Sequence, residues 1–299
     1  MWYSFLQVFF DKYEYPKAGA EYLLNLAKRL DEGSGLQQLL ARKLNDYISG
    51  RIQTLEDVKA LLGEIKTASA AENIPSESAE LIFFLLCMQP LKVQYDRMGL
   101  SEDYYAGVAR DLRSKLNECY AVKGIWGSFV APWFAGFFAM TRFVIGRLQY
   151  EMIEMPHCIS PDGKYCFNGE PAINVHIPSG CPLRIEDVKA SMAEAAQFFA
   201  PHFPGNQVLF HCNSWLLFPG HYEMLPQESG IRQFMDEFTI IRADTHADRH
   251  DLWRLFETME VDDPNRLPQN TSLRRQYVRW LLSGKPVGSA IGIRYYPLP

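Results

Sequence analysis

The chain has 299 residues, enough for about two domains of ordinary size with large apolar cores. Its 30 Lys and Arg residues against 35 Asp and Glu give a formal charge of −5, so no overall basic field favours nucleic acid or an anionic membrane, and neither is expected as a partner. The six cysteines (Cys87, Cys119, Cys158, Cys166, Cys181, Cys212) are spread without a Cys-x-x-Cys pair, which speaks for reduced thiols over a disulfide framework or a zinc knuckle.

Met1 to Phe10 is apolar but has neither a basic leader nor a small-residue cleavage site, and Asp11 and Lys12 follow at once. It does not read as a signal peptide, so a cytoplasmic location is expected. From about Pro16 to Tyr120 amphipathic helical segments alternate with short polar breaks, which predicts an all-α half. The clearest helix opens with Thr54 and Asp57 as an approximate capping box and continues through Leu55, Val58, Leu61, Leu62 and Ile65. Leu81 to Met88, flanked by Glu80 and Pro90, reads as a buried helix. A further helix follows Ser101 with the stripe Tyr105, Val108, Leu112, Leu116 and Cys119. Ile125 to Met140 is sixteen residues without a charge, short of the ~20 a membrane span needs and interrupted by Gly127, Pro132 and Gly136. It reads as core or as a greasy ligand wall. The expected division is a helical domain over 1–122 and a second domain over 123–299.

After Thr141 the pattern changes to short alternating runs. Phe143 to Met155 alternates as one strand, with Arg147, Gln149 and Glu151 on one face. Cys158 and Cys166 flank the turn signal Pro161-Asp162-Gly163-Lys164, which suits two paired strands without a bond. Ala172 to Ile177 is a second strand that turns Asn174 and His176 one way and Ile173, Val175 and Ile177 the other, and Pro178 ends it. A helix follows from about Arg184, with Val188, Met192, Ala195, Ala196 and Phe199 on its apolar face. A strand over Val208 to Leu217, a helix capped by Ser229, a strand over Phe238 to Arg242, helices near His250 and Leu273 and a strand over Ser289 to Tyr296 complete the chain.

The strand ending in Cys212-Asn213-Ser214-Trp215 and the helix start at Ser229 suggest a place for a nucleotide-bearing cofactor. A helix start presents unpaired N–H groups and the positive end of a dipole, and Gly230 would let backbone approach a phosphate closely. Gln227-x-x-Gly230-x-Arg232 partly matches the Gln/Arg-x-x-Gly-x-Gly/Ala loop of GNAT acyltransferases and falls between a strand and a helix as that loop does. Lys285-x-x-Gly288-x-Ala290 also matches in part but reads as a hairpin turn. His246-x-x-x-His250 has the spacing of two ligands one helical turn apart, yet Ala247 stands where a metalloprotease has Glu, and no metal is expected.

With these residues the chain resembles a family of bacterial acyltransferases that joins an all-helical N-acyltransferase N-terminal domain to a GNAT-like C-terminal domain. The resemblance spans nearly the whole chain. It rests on Gly146-Arg147-Leu148-Gln149-Tyr150-Glu151, on Val175-His176-Ile177-Pro178, on the helix bearing Ser191 and Phe198-Phe199, on Cys212-Asn213-Ser214-Trp215-Leu216-Leu217, and on Ser229-Gly230-Ile231 with Phe234 and Phe238. The family more often shows Asn where Gly230 stands, so backbone donation is expected there and a side-chain contact is not. The resemblance implies an α+β chain, an all-α domain followed by a GNAT-like mixed α/β domain with a central, mostly antiparallel twisted sheet. It implies transfer from acyl-CoA, as co-substrate, but names no acceptor; a small-molecule acceptor of amine or else hydroxyl type is the expectation.

Amine acylation requires alignment of thioester and amine, removal of a proton, polarisation of the thioester oxygen and protonation of the departing thiolate. Glu151 and His176, on the polar faces of adjacent candidate strands, are expected to point into one cleft as a general base, directly or through water, or else only to satisfy each other. Arg147 neutralises Glu151 or binds an acceptor carboxylate, and Asn174 and Trp215 are further substrate-binding candidates. Asn213, Ser214 or a strand N–H near Cys212 is placed at the oxyanion. The diphosphate of the cofactor is placed on Gln227, Ser229, Gly230, Ile231 and Arg232. Two other readings stand beside this one: Cys212, activated by His176 or His211, as a covalent nucleophile, and a non-catalytic acyl-carrier or partner-binding protein.

Overall fold

Two compact units, 1–143 and 144–299, make up the computed structural model, which describes residues 2–31, 33–246 and 249–298. The first unit is helical: α1 Trp2–Lys12, α2 Lys17–Asp31, α3 Gly35–Ile48, α4 Leu55–Ala71, α5 Ser76–Arg97, α6 Glu102–Lys123 and a single turn, α7, Ala135–Phe138. α5 is apolar on every side, with Leu81 to Met88 wholly buried, and α1, α2, α3, α4 and α6 all touch it. The capping box at α4 is formed as expected, Thr54 Oγ1 accepting from Asp57 N and Asp57 accepting from Thr54 N. Ser101 caps α6, whose predicted stripe is buried. Helix also begins earlier than the sequence pattern indicated, since α1 buries Leu6, Phe9 and Phe10.

The division falls after Phe143, 21 residues later than the expected boundary at 122. The uncharged stretch 125–140 belongs to the helical core. Phe84 meets the rings of Phe134 and Phe138 at 5.2 and 5.0 Å. A Cβ on Gly127 would lie 2.4 Å from the carbonyl carbon of Glu77, so only glycine fits this crossing. Among the described residues no helix is long and apolar enough to cross a membrane.

The second unit is built on a six-stranded, mostly antiparallel sheet in the order β1-β2-β5-β6-β8-β7. Its strands are β1 Arg142–Ile145, β2 Leu148–Glu154, β5 Pro171–His176, β6 Gln207–Ser214, β7 Thr239–His246 and β8 Val287–Pro297; β3 Cys158–Ile159 and β4 Cys166–Phe167 form a separate small hairpin. Cys158 and Cys166 lie on its two strands as free thiols. One correction bears on function. The run expected as a single strand is two, because Gly146, at φ 59°, and Arg147 form a tight turn between β1 and β2. Arg147 therefore leaves the face it was expected to share with Glu151.

β5 and β6 are parallel, so they need a crossover, and α8 (Ile185–Phe199) supplies it. α8 covers the face carrying Tyr150, Val175, Phe210 and Cys212, all buried. Ser191 fastens it there, accepting from Leu148 N, donating to Ile145 O at 2.5 Å and bonding the Tyr150 hydroxyl at 2.7 Å. On the opposite face, the β3–β4 hairpin packs Met155, Cys158 and Phe167 on Ala172, Leu209 and Ile293. Short helices α9 His221–Met224, α10 Gly230–Met235 and α11 Trp253–Phe256, with α12 Ser272–Leu282, close the rest; α9, α11 and α12 share a core with Val261 and Leu267.

Candidate active site

The face that carries the small hairpin also carries four polar side chains from three neighbouring strands. Glu151 on β2 pairs in register with Asn174 on β5, and Asn174 with His211 on β6. Alternation puts His176 on the face of Asn174. His176 Nε2 lies 2.7 Å from Glu151 Oε1, Asn174 Nδ2 lies 3.2 Å from the same oxygen, and His211 Nδ1 lies 2.8 Å from Asn174 Oδ1. A carboxylate only accepts, so His176 presents Nε2–H to Glu151, and the 3.1 Å approach of Asn174 Nδ2 to that nitrogen is a contact between two donors. Asn174 donates to Glu151 and accepts from His211.

The two ends of this chain differ in exposure. Side-chain exposure is 21% for His176 and 18% for Glu151, enough for a substrate to reach them. His211 is 6% exposed, and its Nε2 has no hydrogen-bond partner among the described residues. Burial, reinforced by the nearby His176, lowers its pKa to about 4, so its imidazole is neutral at pH 7. Glu151 and His176, expected in one cleft, are thus brought together, and Asn174, a separate substrate-binding candidate, lies between Glu151 and His211. His211 enters as a fourth member that sequence reasoning considered only as an activator of Cys212; its alternation with Cys212 on a strand was the available signal.

The remaining candidates fall elsewhere. Cys212 follows His211 on β6 and so faces the opposite way, under α8, fully buried, with its thiol pKa pushed far up by burial. Neither His176 nor His211 can reach it, which corrects the covalent reading. Ser214 caps a single 3₁₀ turn by accepting from Leu216 N at 3.1 Å. Arg147 donates to three carbonyls, of Pro178 at 3.0 Å, Cys181 at 2.8 Å and Pro182 at 2.9 Å. It therefore clamps the loop between β5 and α8 and takes no part in the Glu151 network. Trp215 lines a small pocket with Phe218, Met224, Leu252, Leu255 and Tyr277 on one side and His246, Arg249 and Asp251 on the other.

The segment expected to hold the cofactor is occupied by its own structure. Ser229 Oγ accepts from Ile231 N, and Arg232 Nη1 donates to Leu225 O. A Cβ on Gly230 would lie 2.2 Å from Leu183 O. The close approach that requires glycine there is therefore to the chain itself, and Leu183 belongs to the loop that Arg147 clamps. Gln227 is exposed. α10 is six residues long, a short helix with a weak dipole, and it backs the β5–α8 loop.

That loop lies at the more open end of the sheet. Pairing between β5 and β6 covers only Ile173 with Phe210 and Asn174 with His211, whereas β6 runs on through Cys212 to Ser214 paired with β8. Past Asn174 the two parallel strands leave facing backbone edges without a ladder. The chain leaves β5 through loop 177–184 and enters α8, fifteen residues long, with Arg184 at its N-cap and no side-chain cap. Because the Arg147 clamp gathers the carbonyls of Pro178 and Pro182, the trans N–H groups of Ser179 and Leu183 face away from it. Glu186 and Asp187, in the first turn of α8, are exposed.

Among the described residues no group of His, Cys, Asp and Glu is arranged to hold a metal. His246 donates to or accepts from Ser289 Oγ at 2.9 Å, and Ala247 and Asp248 of the His246-x-x-x-His250 spacing lie outside the described residues.

Residues 4–140 match the N-acyltransferase N-terminal domain and residues 143–294 the GNAT-like C-terminal domain. Three solved structures share the fold with a TM-score of 0.73, each alignment covering 97% of this chain and 87% of the other. They are an acyltransferase in complex with decanoyl-CoA and teicoplanin (21% identical), an acyltransferase in complex with decanoyl-CoA (22%) and an acyltransferase mutant in complex with octanoyl-CoA (20%). At that identity the likeness establishes the fold. A comparison with curated proteins gives no match.

Proposed function

Because this chain belongs to the acyltransferase family that joins an N-acyltransferase N-terminal domain to a GNAT-like C-terminal domain, we propose that it moves an acyl group directly from acyl-CoA to the amine of a small-molecule acceptor, with Glu151 and His176 handling the proton. One observation carries the reading: a hydrogen-bonded carboxylate–imidazole pair, partly open, stands beside a parallel strand pair whose ladder stops after two residue pairs. An open edge of that kind offers backbone groups to the pantetheine amides. The uncapped start of α8 offers N–H groups and the positive end of a dipole to the diphosphate. Arg184 adds a cation at the same place, and the exposed Asp187 carboxylate in the first turn of α8 bears on the Arg147 guanidinium of the clamp. The donor site thus moves from Ser229–Arg232, the segment the sequence suggested, to the neighbouring loop 177–184. The solved structures with decanoyl-CoA and octanoyl-CoA support this donor class.

In the proposed reaction the neutral amine attacks the thioester carbonyl, and a proton passes from its nitrogen to His176 Nδ1. With Nε2–H committed to Glu151, Nδ1 is the basic nitrogen, and the carboxylate stabilises the imidazolium that forms. Strand N–H groups of β6 past His211 receive the developing oxyanion. Collapse of the adduct breaks the C–S bond, and the thiolate takes the proton back.

Acyl-CoAs of increasing chain length test this by thermal shift. A donor at a hundred times its dissociation constant should stabilise the protein by about 2.7 kcal/mol, with longer chains giving the larger shift, and thiol release should follow when primary amines are screened with the best donor. No shift with any acyl-CoA would remove the proposal. A second expectation concerns the loop clamp. Arg147→Lys, which cannot bond three carbonyls in a fixed fork, should raise KM for the acyl-CoA about tenfold and change kcat little; an unchanged KM would detach Arg147 from the donor site.

A further inference from the structure

We propose that His211 is a positioning residue for acyl transfer, holding the Asn174 amide in the one orientation that donates to Glu151. This rests on the reading of Glu151 and His176 as the proton-handling pair and goes a step behind it. An asparagine amide has two ends of nearly equal shape. Turned over, Asn174 would set Oδ1 against Glu151 Oε1, an acceptor against an acceptor, and the carboxylate would lose the donor now 3.2 Å away. The Nε2–H of His176, 3.1 Å from the same end of the amide, favours the turned orientation, so what holds the present one is the group at the far end. His211 Nδ1, 2.8 Å from Asn174 Oδ1, demands an acceptor when it carries the proton and a donor when it does not. The titratable groups that bear on His211 are His176 and, through Asn174, Glu151.

The second nitrogen of His211 is the telling detail. Nε2 is buried without a partner among the described residues, an arrangement that costs free energy and that a leucine or phenylalanine of similar size would avoid. A neutral imidazole has a single N–H. Placing it on Nε2 would bury an unmet donor and turn the Asn174 amide over; placing it on Nδ1 leaves the milder defect, an unmet acceptor, and keeps the amide hydrogen on Glu151. The register partners Glu151, Asn174 and His211 thus form a relay across three strands, with its end fixed in the interior and its working end at the open site.

The test follows kcat and its pH dependence with decanoyl-CoA and the best amine acceptor from the screen, or with slow hydrolysis of decanoyl-CoA where no amine is taken. His211→Leu should lower kcat about 10- to 100-fold and reshape the acid limb of the profile, with KM for decanoyl-CoA within about threefold of the native value. His211→Asn, whose Nδ2 takes the place of Nδ1, should recover most of the loss. Adding Asn174→Leu to His211→Leu should cost little more, since the two act as one relay. A folded His211→Leu with native kcat and profile overturns the inference, as does a loss that asparagine fails to relieve. Should His211→Leu not fold, Asn174→Leu is read on the same terms from its half-buried position. If Glu151→Gln retains native kcat, the proton-pair assignment falls and this role with it; an impaired Glu151→Gln beside a native His211→Leu removes the positioning role alone.

Discussion

Replacing His176 with alanine is expected to lower kcat for acyl transfer by about 10²- to 10⁴-fold, the range that positioned general acid–base groups supply, while acyl-CoA still binds. The proposed donor site is the β5–α8 loop and the open strand edge, neither of which uses the imidazole. Glu151→Gln should do nearly as much harm for a subtler reason. A glutamine turned to place its amide nitrogen toward His176 would oppose donor to donor and force the imidazole to carry its proton on Nδ1, the nitrogen that must stay basic. The two substitutions together should cost no more than the worse of them, because they disable one unit. Cys212→Ala serves as the control: its thiol is walled off under α8, on the face away from both imidazoles, so turnover and the absence of an acyl-thioester on the protein should be unchanged. Steady-state kinetics with intact-mass analysis reads all four variants. Loss of turnover in Cys212→Ala, or survival of it in His176→Ala, would reverse the assignment of roles.

Acidification from pH 6.5 to about 4 is expected to destabilise the second unit markedly. His211 and His221 are both buried, and burial lowers each pKa to about 4 from the usual 6.5. His221 is held by Leu216 O at 3.2 Å and by the hydroxyl of Tyr277. Above the unfolded value both states are neutral and stability is complete. Between the two values the unfolded chain binds protons that the native one refuses, so stability drains as pH falls and levels once the native pKa is passed. A displacement of that size is worth about 3 kcal/mol per site as an order of magnitude, against about 5–15 kcal/mol for a whole domain. The first unit bears a group of the opposite sign. Glu80, crowded by burial and by the charge of Glu77, has its pKa raised to about 7, so its contribution is lost as pH rises from the unfolded value through 7. Urea unfolding at several pH values should show the acid slope, and His221→Gln should flatten it by about half; an unaltered slope would place the acid sensitivity elsewhere.

Helix-forming stripes and caps were legible in the chain because both are local. The Thr54–Asp57 box, the faces of α6 and α8 and the buried run in α5 follow from spacing within one turn or two. Polar alternation on β2 and β5 likewise singled out Glu151, Asn174 and His176. What eluded sequence reasoning depends on partners far away along the chain. Gly146 looked like one more residue of a strand, yet its positive φ turns the chain and sends Arg147 to the carbonyls of residues 178, 181 and 182. Gly230 looked like a phosphate contact, yet the atom it admits is Leu183 O. The proposed donor loop differs from the segment the sequence suggested for a topological reason: a partial motif ahead of one helix outweighed the plainer fact that the parallel pair, and hence the crossover helix, lies one element earlier. The segment Pro178-Ser179-Gly180-Cys181-Pro182, between a strand and an uncapped helix of four turns, was the signal available.

β8 comes after every other strand among the described residues yet lies between β6 and β7, bonded to both along most of its length. The sheet is therefore assembled by insertion. Until residues 287–297 arrive, β6 and β7 each present a long unsatisfied edge, and the ladder joining them closes a loop of many tens of residues, which makes that step slow. Refolding from denaturant should pass through a species in which β2, β5, β6 and α8 are already docked while β7 waits, and such a species offers sticky borders to its copies. Dilute, cool conditions and late-binding chaperones would favour recovery of this protein, and substitutions at the small residues of β8, where Gly288 and Gly292 leave room for Phe218 and Phe238, would be felt first in yield.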